Sequence, residues 1–230
     1  MIYAIGDIHG EIRKLRSLLD AIEAEATDAD RYVFLGDYVD RGPDTAGVIE
    51  LLLQTRDRRP NTIFLRGNHE QMMFESRRFF ELADSTVDFE TAANWFAYGG
   101  AETLASYPNS ATKSWIDRIP AEHWTFLRGT GLEHRQGPYL FVHAGIAPPG
   151  ATWTFGEPRL WIREPFVSSQ ADLGAVVVHG HTPSQDFKPR IMRNKIGIDT
   201  GATYGGPLTA VKLDPESPYD PDTLEFLYGT

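Results

Sequence analysis

One pattern recurs five times along this chain: a short apolar run is followed directly by a cluster of polar residues. The runs are rich in β-branched and aromatic side chains, which is typical of buried strands. The polar clusters cover residues 6–10, 36–42, 66–70, 143–145 and 179–182, and they hold five of the seven histidines. Because ligands of α/β proteins bind where loops converge at the carboxyl ends of strands, the pattern predicts one site built from five strand ends.

The segments between the clusters predict the architecture. Helical periodicity covers residues 11–26 and 45–55, and residues from about 71 to 134 are helical in pattern and rich in aromatic side chains. The strands expected after residue 138 are 139–142, 175–178, 195–199, 208–213 and 224–228. We therefore expect an α/β fold, a four-layer α/β/β/α sandwich of two mixed sheets flanked by helices. The single domain covers residues 1–230, with a helical insertion at about 71–134.

The composition excludes several classes of function. With 32 acidic and 22 basic residues the formal net charge is -10, so the chain lacks the positive field that binding to nucleic acid or an anionic membrane requires. The absence of cysteine removes disulfides, thiolate catalysis and cysteine-based zinc sites. Since there is no secretory signal and no run of about 18 apolar residues, we expect a cytoplasmic protein. The sequence specifies no oligomer, and a monomer is the default expectation.

Six side chains in the clusters are of the kinds that bind divalent metal ions: Asp7, His9, Asp37, Asn68, His143 and His181. Carboxylate oxygen, amide oxygen and imidazole nitrogen suit hard and borderline ions. Six ligands are too many for one tetrahedral ion, whereas two ions that share a carboxylate would use them all. Asp37 lies in the central cluster and is the expected bridge. Such a pair activates water for attack on phosphorus and neutralises the phosphoryl oxygens, which favours phosphoester hydrolysis.

Hydrolysis of a phosphoester also requires a proton for the leaving oxygen and cations for the phosphate. His69 lies in the third cluster, and Asp40 is available to orient its imidazole. We therefore assign His69 as the general acid and Asp40 as its supporting carboxylate. Arg41, Arg66 and Arg163 are the expected phosphate ligands, because a guanidinium offers two parallel donors to phosphate oxygens.

The five clusters together resemble the motifs of the PPP-type serine/threonine phosphatases of the calcineurin-like metallophosphoesterase superfamily. The matching segments are Gly6-Asp7-Ile8-His9-Gly10, residues 36–42, Gly67-Asn68-His69-Glu70, His143-Ala144-Gly145 and Gly180-His181-Thr182. They stand in the family's order, and the match extends from Asp7 to about Asp199. The bacterial and bacteriophage members are the most similar.

The resemblance implies the same roles that the residue types indicate. One ion would be held by Asp7, His9 and Asp37, and the second by Asp37, Asn68, His143 and His181. The expected cofactor is a pair of divalent ions, in the first place Mn²⁺, with Fe, Zn, Ni, Co and Mg as alternatives. The resemblance also implies that His69 and Asp40 form the acid pair and that Arg41, Arg66 and Arg163 face the phosphate.

Three positions outside this set need a separate interpretation. Pro183 stands where many relatives in the wider superfamily carry a second histidine, and this agrees with the PPP branch. The family does not use the position of His179 as a ligand, so we expect His179 in the core or behind the ligands. Tyr204, in the glycine-rich segment after Asp199, is a candidate substrate contact.

The function expected from these residues is metal-dependent hydrolysis of phosphoserine and phosphothreonine monoesters in proteins or peptides, with phosphotyrosine and small phosphoesters as further substrates. Metal-activated water would attack directly, and His69 with Asp40 would protonate the leaving group. One alternative is a symmetrical bis(5'-nucleosyl)-tetraphosphatase, because the metal ligands do not specify the leaving group. A second alternative is a catalytically silent binding scaffold.

Overall fold

The computed structural model describes residues 1–82, 86 and 89–230. The strands are β1 (Ile2–Ile5), β2 (Arg31–Phe34), β3 (Ile63–Phe64), β4 (Glu133–Gln136), β5 (Tyr139–Val142), β6 (Val176–His179), β7 (Arg190–Met192), β8 (Lys195–Gly197), β9 (Leu208–Leu213) and β10 (Glu225–Gly229). The α-helices are α1 (Ile12–Glu23), α2 (Thr45–Arg58), α3 (Asn68–Leu82), α4 (Phe89–Trp95), α5 (Ala101–Ser106), α6 (Trp115–Arg118), α7 (Ala121–Arg128) and α8 (Pro158–Trp161). A π-helical turn (Phe96–Gly100) joins α4 to α5.

The strands form two five-stranded sheets. The first sheet has the order β10-β9-β1-β2-β3, and the second has the order β4-β5-β6-β8-β7. In the first sheet β1, β2 and β3 are parallel, while β9 runs antiparallel to both β1 and β10. In the second sheet β5, β6 and β8 are parallel, and the edge strands β4 and β7 are antiparallel to their neighbours. Both sheets are therefore mixed, as the sequence predicts.

Alternation along β1 shows how the layers are built. Ile2 and Ala4 belong to the apolar core between the two sheets, whereas Tyr3 and Ile5 belong to the core on the helical side. Successive side chains of a strand point to opposite faces, so a strand that is apolar at every position is buried on both faces. The outer face of the second sheet is covered by α8 and the segment after it, through Ile162 and Phe166. The predicted four-layer α/β/β/α sandwich is confirmed.

In the described residues between β3 and β4, the regular elements are the helices α3 to α7 and the π-helical turn. The ring centroids of Trp95 and Trp115 are 4.9 Å apart, and Trp95 and Trp124 are buried in the core on the helical side of the first sheet. Other aromatic side chains of the segment are exposed, among them Phe80, Phe89 and Tyr98. The expectation of one domain with a helical insertion at about 71–134 stays a prediction, and within it the strand β4 begins at Glu133.

The edge strands β4 and β7 are not expected from the sequence. The four residues of β4 are all polar, and their side chains alternate between exposed and half-buried. Edge strands need no apolar run, since one side of the strand meets solvent, so a polar sequence gives no strand signal. Among the described residues, no helix combines the length and the apolar character that a membrane crossing requires.

Candidate metal centre

The carboxyl ends of the parallel strands of both sheets meet at one edge of the sandwich. His143, which follows β5, donates from Nδ1 to the carbonyl of Leu35, which follows β2, at 3.0 Å. The backbone N–H of His181, which follows β6, donates to Oδ2 of Asp7, which follows β1, at 3.0 Å. Both hydrogen bonds join the first sheet to the second. The polar clusters therefore form one buried site across the two sheets.

The donor atoms of Asn68, His143 and His181 converge on one point. Oδ1 of Asn68 lies 2.9 Å from Nε2 of His143 and 2.9 Å from Nδ1 of His181. Burial lowers the pKa of both imidazoles, so both are neutral at pH 7. Because Nδ1 of His143 carries the proton given to Leu35, its Nε2 presents a lone pair to the amide oxygen. An amide oxygen and an imidazole lone pair that face one another at this distance suit a cation between them.

Asp37 extends this arrangement toward a second set of donors. Its Oδ1 lies 3.4 Å from Nε2 of His143, and its Oδ2 lies 3.3 Å from Nε2 of His9. The ligand atoms of Asp37, His143 and His181 all lie within 4.8 Å of one another, as do those of His9, Asp37 and His69. Donors bound to one ion at about 2.1 Å are themselves about 3 Å apart, so the distances of Asp37 to His143 and His9 fit coordination. Asp37 faces both sets, as expected of a bridging ligand.

Three buried carboxylates at the centre raise the local negative charge. Burial, together with the charges of Asp199 and Asp37, raises the pKa of Asp7 well above its usual range. Burial also raises the pKa of Asp199 to about 6. Burial alone would raise the pKa of Asp37 as well, but His143, His69 and His9 hold it well below its usual range. Divalent cations would remove the repulsion, and the donor set therefore fits divalent metal ions.

His69 and Asp40 form a buried pair beside these donors. Nδ1 of His69 lies 2.7 Å from Oδ2 of Asp40, so Nε2 of the ring is left to face the site. Burial lowers the pKa of His69 to about 3 and raises that of Asp40 to about 8, because a low-dielectric environment disfavours the charged form of each. The structure thus brings together the two residues that the sequence pairs.

Of the three arginines, Arg41 and Arg163 lie at the site and Arg66 does not. The guanidinium of Arg41 donates to Nε2 of His9 and to Nε2 of His69, each at 2.8 Å. Arg163 lines the cleft that opens over these donors, and its guanidinium lies 3.4 Å from the carbonyl oxygen of His181. These contacts place two fixed positive charges next to the metal donors.

The guanidinium of Arg66 makes its contacts within the protein. It donates to the carbonyl of Arg128 at 3.3 Å and to the hydroxyl of Thr130 at 3.3 Å, and it lies 5.0 Å from the ring centre of Phe74. These contacts tie the third cluster to the end of α7. Its donors are engaged with the protein in this structure, and the expected role of Arg66 as a phosphate ligand stays a prediction.

Tyr204 and His179 also take defined positions. Tyr204 is 55% exposed, and its ring centre lies 5.7 Å from the guanidinium carbon of Arg41. His179 is buried, donates from Nδ1 to the carbonyl of Gly180 at 3.0 Å and packs edge-on against Phe166. The structure confirms that His179 belongs to the core behind the ligands.

The site is held in an unusual backbone conformation. Positive φ occurs at His9 (46°), Asp37 (52°), Asp40 (73°), Arg41 (67°) and His181 (63°), which are all candidate site residues. Non-glycine residues enter this region at an energetic cost, and they remain there only where the surrounding structure imposes it. Gly67 illustrates the crowding, because a Cβ there would stand 2.0 Å from Oδ1 of Asp37.

Glu70 imposes much of this conformation, and the sequence gives it no role. Its buried carboxylate accepts hydrogen bonds from the backbone N–H groups of Asp37 (2.9 Å), Tyr38 (2.8 Å), Val39 (3.2 Å) and Gly67 (2.8 Å). One side chain of α3 thus closes the turn after β2 and joins it to the loop after β3. The sequence does contain a signal for Glu70, because this residue lies in the third polar cluster together with the expected ligand Asn68.

We expect Glu70→Gln to lower the free energy of unfolding by about 2–4 kcal/mol, because an amide NH₂ would face backbone donors that now meet a carboxylate oxygen. Urea denaturation of the metal-free protein measures this effect. Glu81→Gln is the matched control, since Glu81 is in the same helix, exposed, and paired only with Arg77 in the contacts of the described residues. Equal stabilities of the two variants would contradict the role assigned to Glu70.

A cleft of about 690 Å³ opens over the centre. Asn68, His69 and His181 lie at its floor, together with Arg41 and Arg163. One wall comes from α3, α4 and the π-helical turn and carries Glu75, Glu90 and Tyr98; the other carries Phe155 and Trp161. The cleft therefore combines a cationic floor with walls that are acidic on one side and aromatic on the other.

Comparison with known proteins identifies relatives of the whole chain. The family model described as Calcineurin-like phosphoesterase matches residues 1–202. Serine/threonine-protein phosphatase 1 of Salmonella typhimurium is 27% identical over 226 residues, which cover 92% of this chain and 91% of that protein. The asymmetrical bis(5'-nucleosyl)-tetraphosphatase PrpE of Bacillus thuringiensis is 26% identical over 254 residues, with coverages of 97% and 95%.

A solved structure described as a putative diadenosine tetraphosphatase has the same fold, with a TM-score of 0.63. It is 20% identical in sequence, and the match covers 100% of this chain and 93% of that one. This similarity supports the two-sheet architecture alone, since the sequence identity is low.

Proposed function

The chain belongs to the calcineurin-like phosphoesterase family of metal-dependent phosphoester hydrolases, and from this we propose that it is a phosphoprotein phosphatase. Its substrates would be phosphoserine and phosphothreonine monoesters, with phosphotyrosine as a further option. The similarity to a bacterial serine/threonine phosphatase supports this proposal. The chain is, however, equally similar to the tetraphosphatase relatives. The choice between them rests on the charges in the cleft.

The observation that carries the proposal is the balance of charge around the cleft. Among the described residues that line it, the arginines are Arg41 and Arg163, and the carboxylates on the wall are Glu75 and Glu90. Two guanidinium groups match one phosphoryl group with its two negative charges. A tetraphosphate would bring further negative charges along a wall that carries two glutamates, and like charges at close range are repulsive.

The residues at the floor would divide the work of hydrolysis. We assign one ion to Asp7, His9 and Asp37, and a second, sharing Asp37, to Asn68, His143 and His181. Two divalent ions, with Mn²⁺ as the expected metal, would supply an activated water and neutralise the phosphoryl oxygens when bound.

The remaining site residues would bind the phosphoryl group and move a proton. Arg41 and Arg163 would bind its oxygens, while the imidazole of His69 would give its Nε2 proton to the leaving oxygen. The negative charge of the bound phosphoryl group would favour the protonated imidazole, and Asp40 would stabilise that form through Nδ1–H.

A second candidate is hydrolysis of dinucleoside tetraphosphates. The tetraphosphatase relatives match the chain over nearly its whole length, and Phe155 and Trp161 offer flat surfaces on which a nucleobase could stack. The alternative expected from the sequence is the symmetrical enzyme, whereas the relative PrpE is an asymmetrical tetraphosphatase. Product analysis separates the two, since symmetrical cleavage of diadenosine tetraphosphate gives two ADP and asymmetrical cleavage gives AMP and ATP.

We expect kcat/KM for a phosphoserine peptide to exceed that for diadenosine tetraphosphate by about ten-fold or more, because the glutamates repel the longer polyphosphate. Both substrates are compared with the same Mn²⁺-loaded protein. A double variant, Glu75→Gln with Glu90→Gln, should reduce this preference through faster tetraphosphate hydrolysis. A clear preference of the wild type for diadenosine tetraphosphate would overturn the phosphatase assignment, and hydrolysis of neither would favour a silent scaffold.

A further inference from the structure

We propose that Trp95 and Thr103 are positioning residues that hold Asp40 in the one orientation that serves His69. Both belong to the helical segment between the two sheets, Trp95 at the end of α4 and Thr103 in α5. Neither lies in a polar cluster after a strand. The inference rests on the proposed role of His69 as the proton donor.

The carboxylate of Asp40 has two oxygens with separate partners. Oδ2 lies 2.7 Å from Nδ1 of His69, whereas Oδ1 accepts from the indole N–H of Trp95 at 2.9 Å and from the hydroxyl of Thr103 at 2.7 Å. All four side chains are buried. Two donors fixed on Oδ1 leave Oδ2 directed at the imidazole, and they stabilise the charged carboxylate that a protonated His69 requires.

Thr103 also fixes the backbone of the same residue. Its hydroxyl oxygen accepts from the backbone N–H of Asp40 at 2.8 Å, while the hydroxyl proton goes to Oδ1 of Asp40. Thr45 Oγ1 lies a further 3.1 Å from Thr103 Oγ1. Asp40 has a φ of 73°, a conformation that needs such external support in a residue with a side chain. One hydroxyl therefore holds both the backbone and the carboxylate of Asp40.

The π-helical turn between α4 and α5 brings this support to Arg41 as well. The carbonyl of Gly99 accepts from the backbone N–H of Arg41 at 3.3 Å. Gly99 has a φ of 117°, and a Cβ there would stand 2.6 Å from the same nitrogen. π-Helical turns occur often at functional sites, and here the turn lets two helices present Trp95 and Thr103 to one carboxylate.

The consequence is that Trp95 and Thr103, which do not line the cleft, set the efficiency of proton donation without touching the substrate. If Oδ1 loses a donor, Asp40 can rotate, and the imidazole loses the partner that stabilises its protonated form. Esters with poor leaving groups depend on the proton, whereas esters with good leaving groups, such as p-nitrophenyl phosphate, depend on it much less. A role confined to stability would affect both kinds of ester alike.

The test compares Thr103→Val, which removes the hydroxyl and keeps the shape, with Thr103→Ser, which keeps the hydroxyl. We expect Thr103→Val to lower kcat for phenyl phosphate by about 10- to 100-fold, with KM unchanged and kcat for p-nitrophenyl phosphate within about three-fold of wild type. Thr103→Ser should stay within about three-fold of wild type on both esters. Thr55→Val is the matched control, since Thr55 is buried in α2 and bonds only to Leu51 in the contacts of the described residues.

A second pair covers the case in which Thr103→Val fails to fold. Trp95→Phe removes the indole donor to Asp40, and Trp124→Phe removes an indole hydrogen bond to Ile116 in the same segment without touching Asp40. We expect Trp95→Phe to show the same selective loss on phenyl phosphate and Trp124→Phe to show none. Equal losses on both esters in the first variant of either pair, or no loss on phenyl phosphate, would overturn the proposal.

A spectroscopic readout does not depend on turnover. In the Mg²⁺-loaded protein, the Nδ1 proton of His69 should give a downfield ¹H NMR signal that is absent from His69→Asn. The signal should move upfield or disappear in Thr103→Val and persist in Thr103→Ser. An unchanged signal in Thr103→Val would show that Asp40 keeps its orientation without the hydroxyl, and this would contradict the inference. If the wild type cleaves aryl esters but no phosphopeptide, the phosphoprotein assignment fails while this inference stands.

Discussion

Removal of divalent ions is expected to abolish phosphoester hydrolysis, and added Mn²⁺ is expected to restore it. Metal ions contribute several kcal/mol to stabilisation of the transition state, which corresponds to a loss of at least about a thousand-fold in rate. The structural reason is the convergence of oxygen and nitrogen donors from Asn68, His143 and His181 on one buried point. The measurement is activity before and after chelation, together with the metal content of the protein by elemental analysis.

We expect the variant Asp37→Asn to lose activity for the same reason as the metal-free protein. Asp37 faces both sets of donors. Loss of its charge should therefore lower the metal content below the proposed two ions per chain and abolish activity as well. Asp57→Asn is the control, because Asp57 is exposed and pairs with Arg56 on the surface. Activity that persists after complete chelation would refute the metal-dependent reaction. A fully loaded protein with a single ion would refute the dinuclear centre alone.

His69→Asn is expected to lower turnover of esters with poor leaving groups by about 10²- to 10⁴-fold, because asparagine cannot deliver a proton to the leaving oxygen. Metal content should remain near that of the wild type. His69 is oriented by Asp40 through Nδ1, and its Nε2, which accepts a hydrogen bond from Arg41 in this structure, is the atom that would carry the donated proton once a phosphoryl group is bound. The measurement is kcat for phenyl phosphate and for p-nitrophenyl phosphate, with elemental analysis of each sample.

His134→Asn is the matched control for this variant. His134 is half-buried in the edge strand β4, outside the five polar clusters, and should leave both turnover and metal content unchanged. If His69→Asn lost metal in proportion to activity, His69 would be a ligand, as its place within 4.8 Å of donor atoms of His9 and Asp37 permits. A loss of turnover without a loss of metal content therefore distinguishes the general acid from the metal ligands.

The strands and the ligands could be predicted from the sequence because both leave local signals. A buried strand such as β5 reads as an apolar run, and the sequence predicts its bounds at residues 139–142 as observed. The ligand His143 follows that run directly. Parallel strands share an edge, so a ligand that ends one strand must lie near a ligand that ends the next. The same reasoning extends to Asp199 after β8, which the sequence leaves without a role and the structure places among the carboxylates.

The interpretation of Arg66 shows where local signals are insufficient. Arg41 and Arg66 both stand beside presumed ligands, and the sequence treats them alike. Yet Arg41 turns toward His9 and His69, and Arg66 turns toward the carbonyl of Arg128 at the end of α7. A long flexible side chain reaches several partners from one backbone position. Which partner it takes depends on segments that are distant in the chain.

The sequence by itself determined the chemistry of this protein: which residue types follow the strands, and hence a metal-dependent phosphoester hydrolase. Only the tertiary structure decided how that chemistry is supported, through the carboxylate of Glu70 under the turn and the donors of Trp95 and Thr103 on Asp40. The physical reason is the separation along the chain between a residue and its partners. A ligand after a strand is fixed by its immediate neighbours, whereas Trp95 and Thr103 lie 55 and 63 residues from Asp40, and only packing of the helical segment against the sheet brings them within hydrogen-bonding distance.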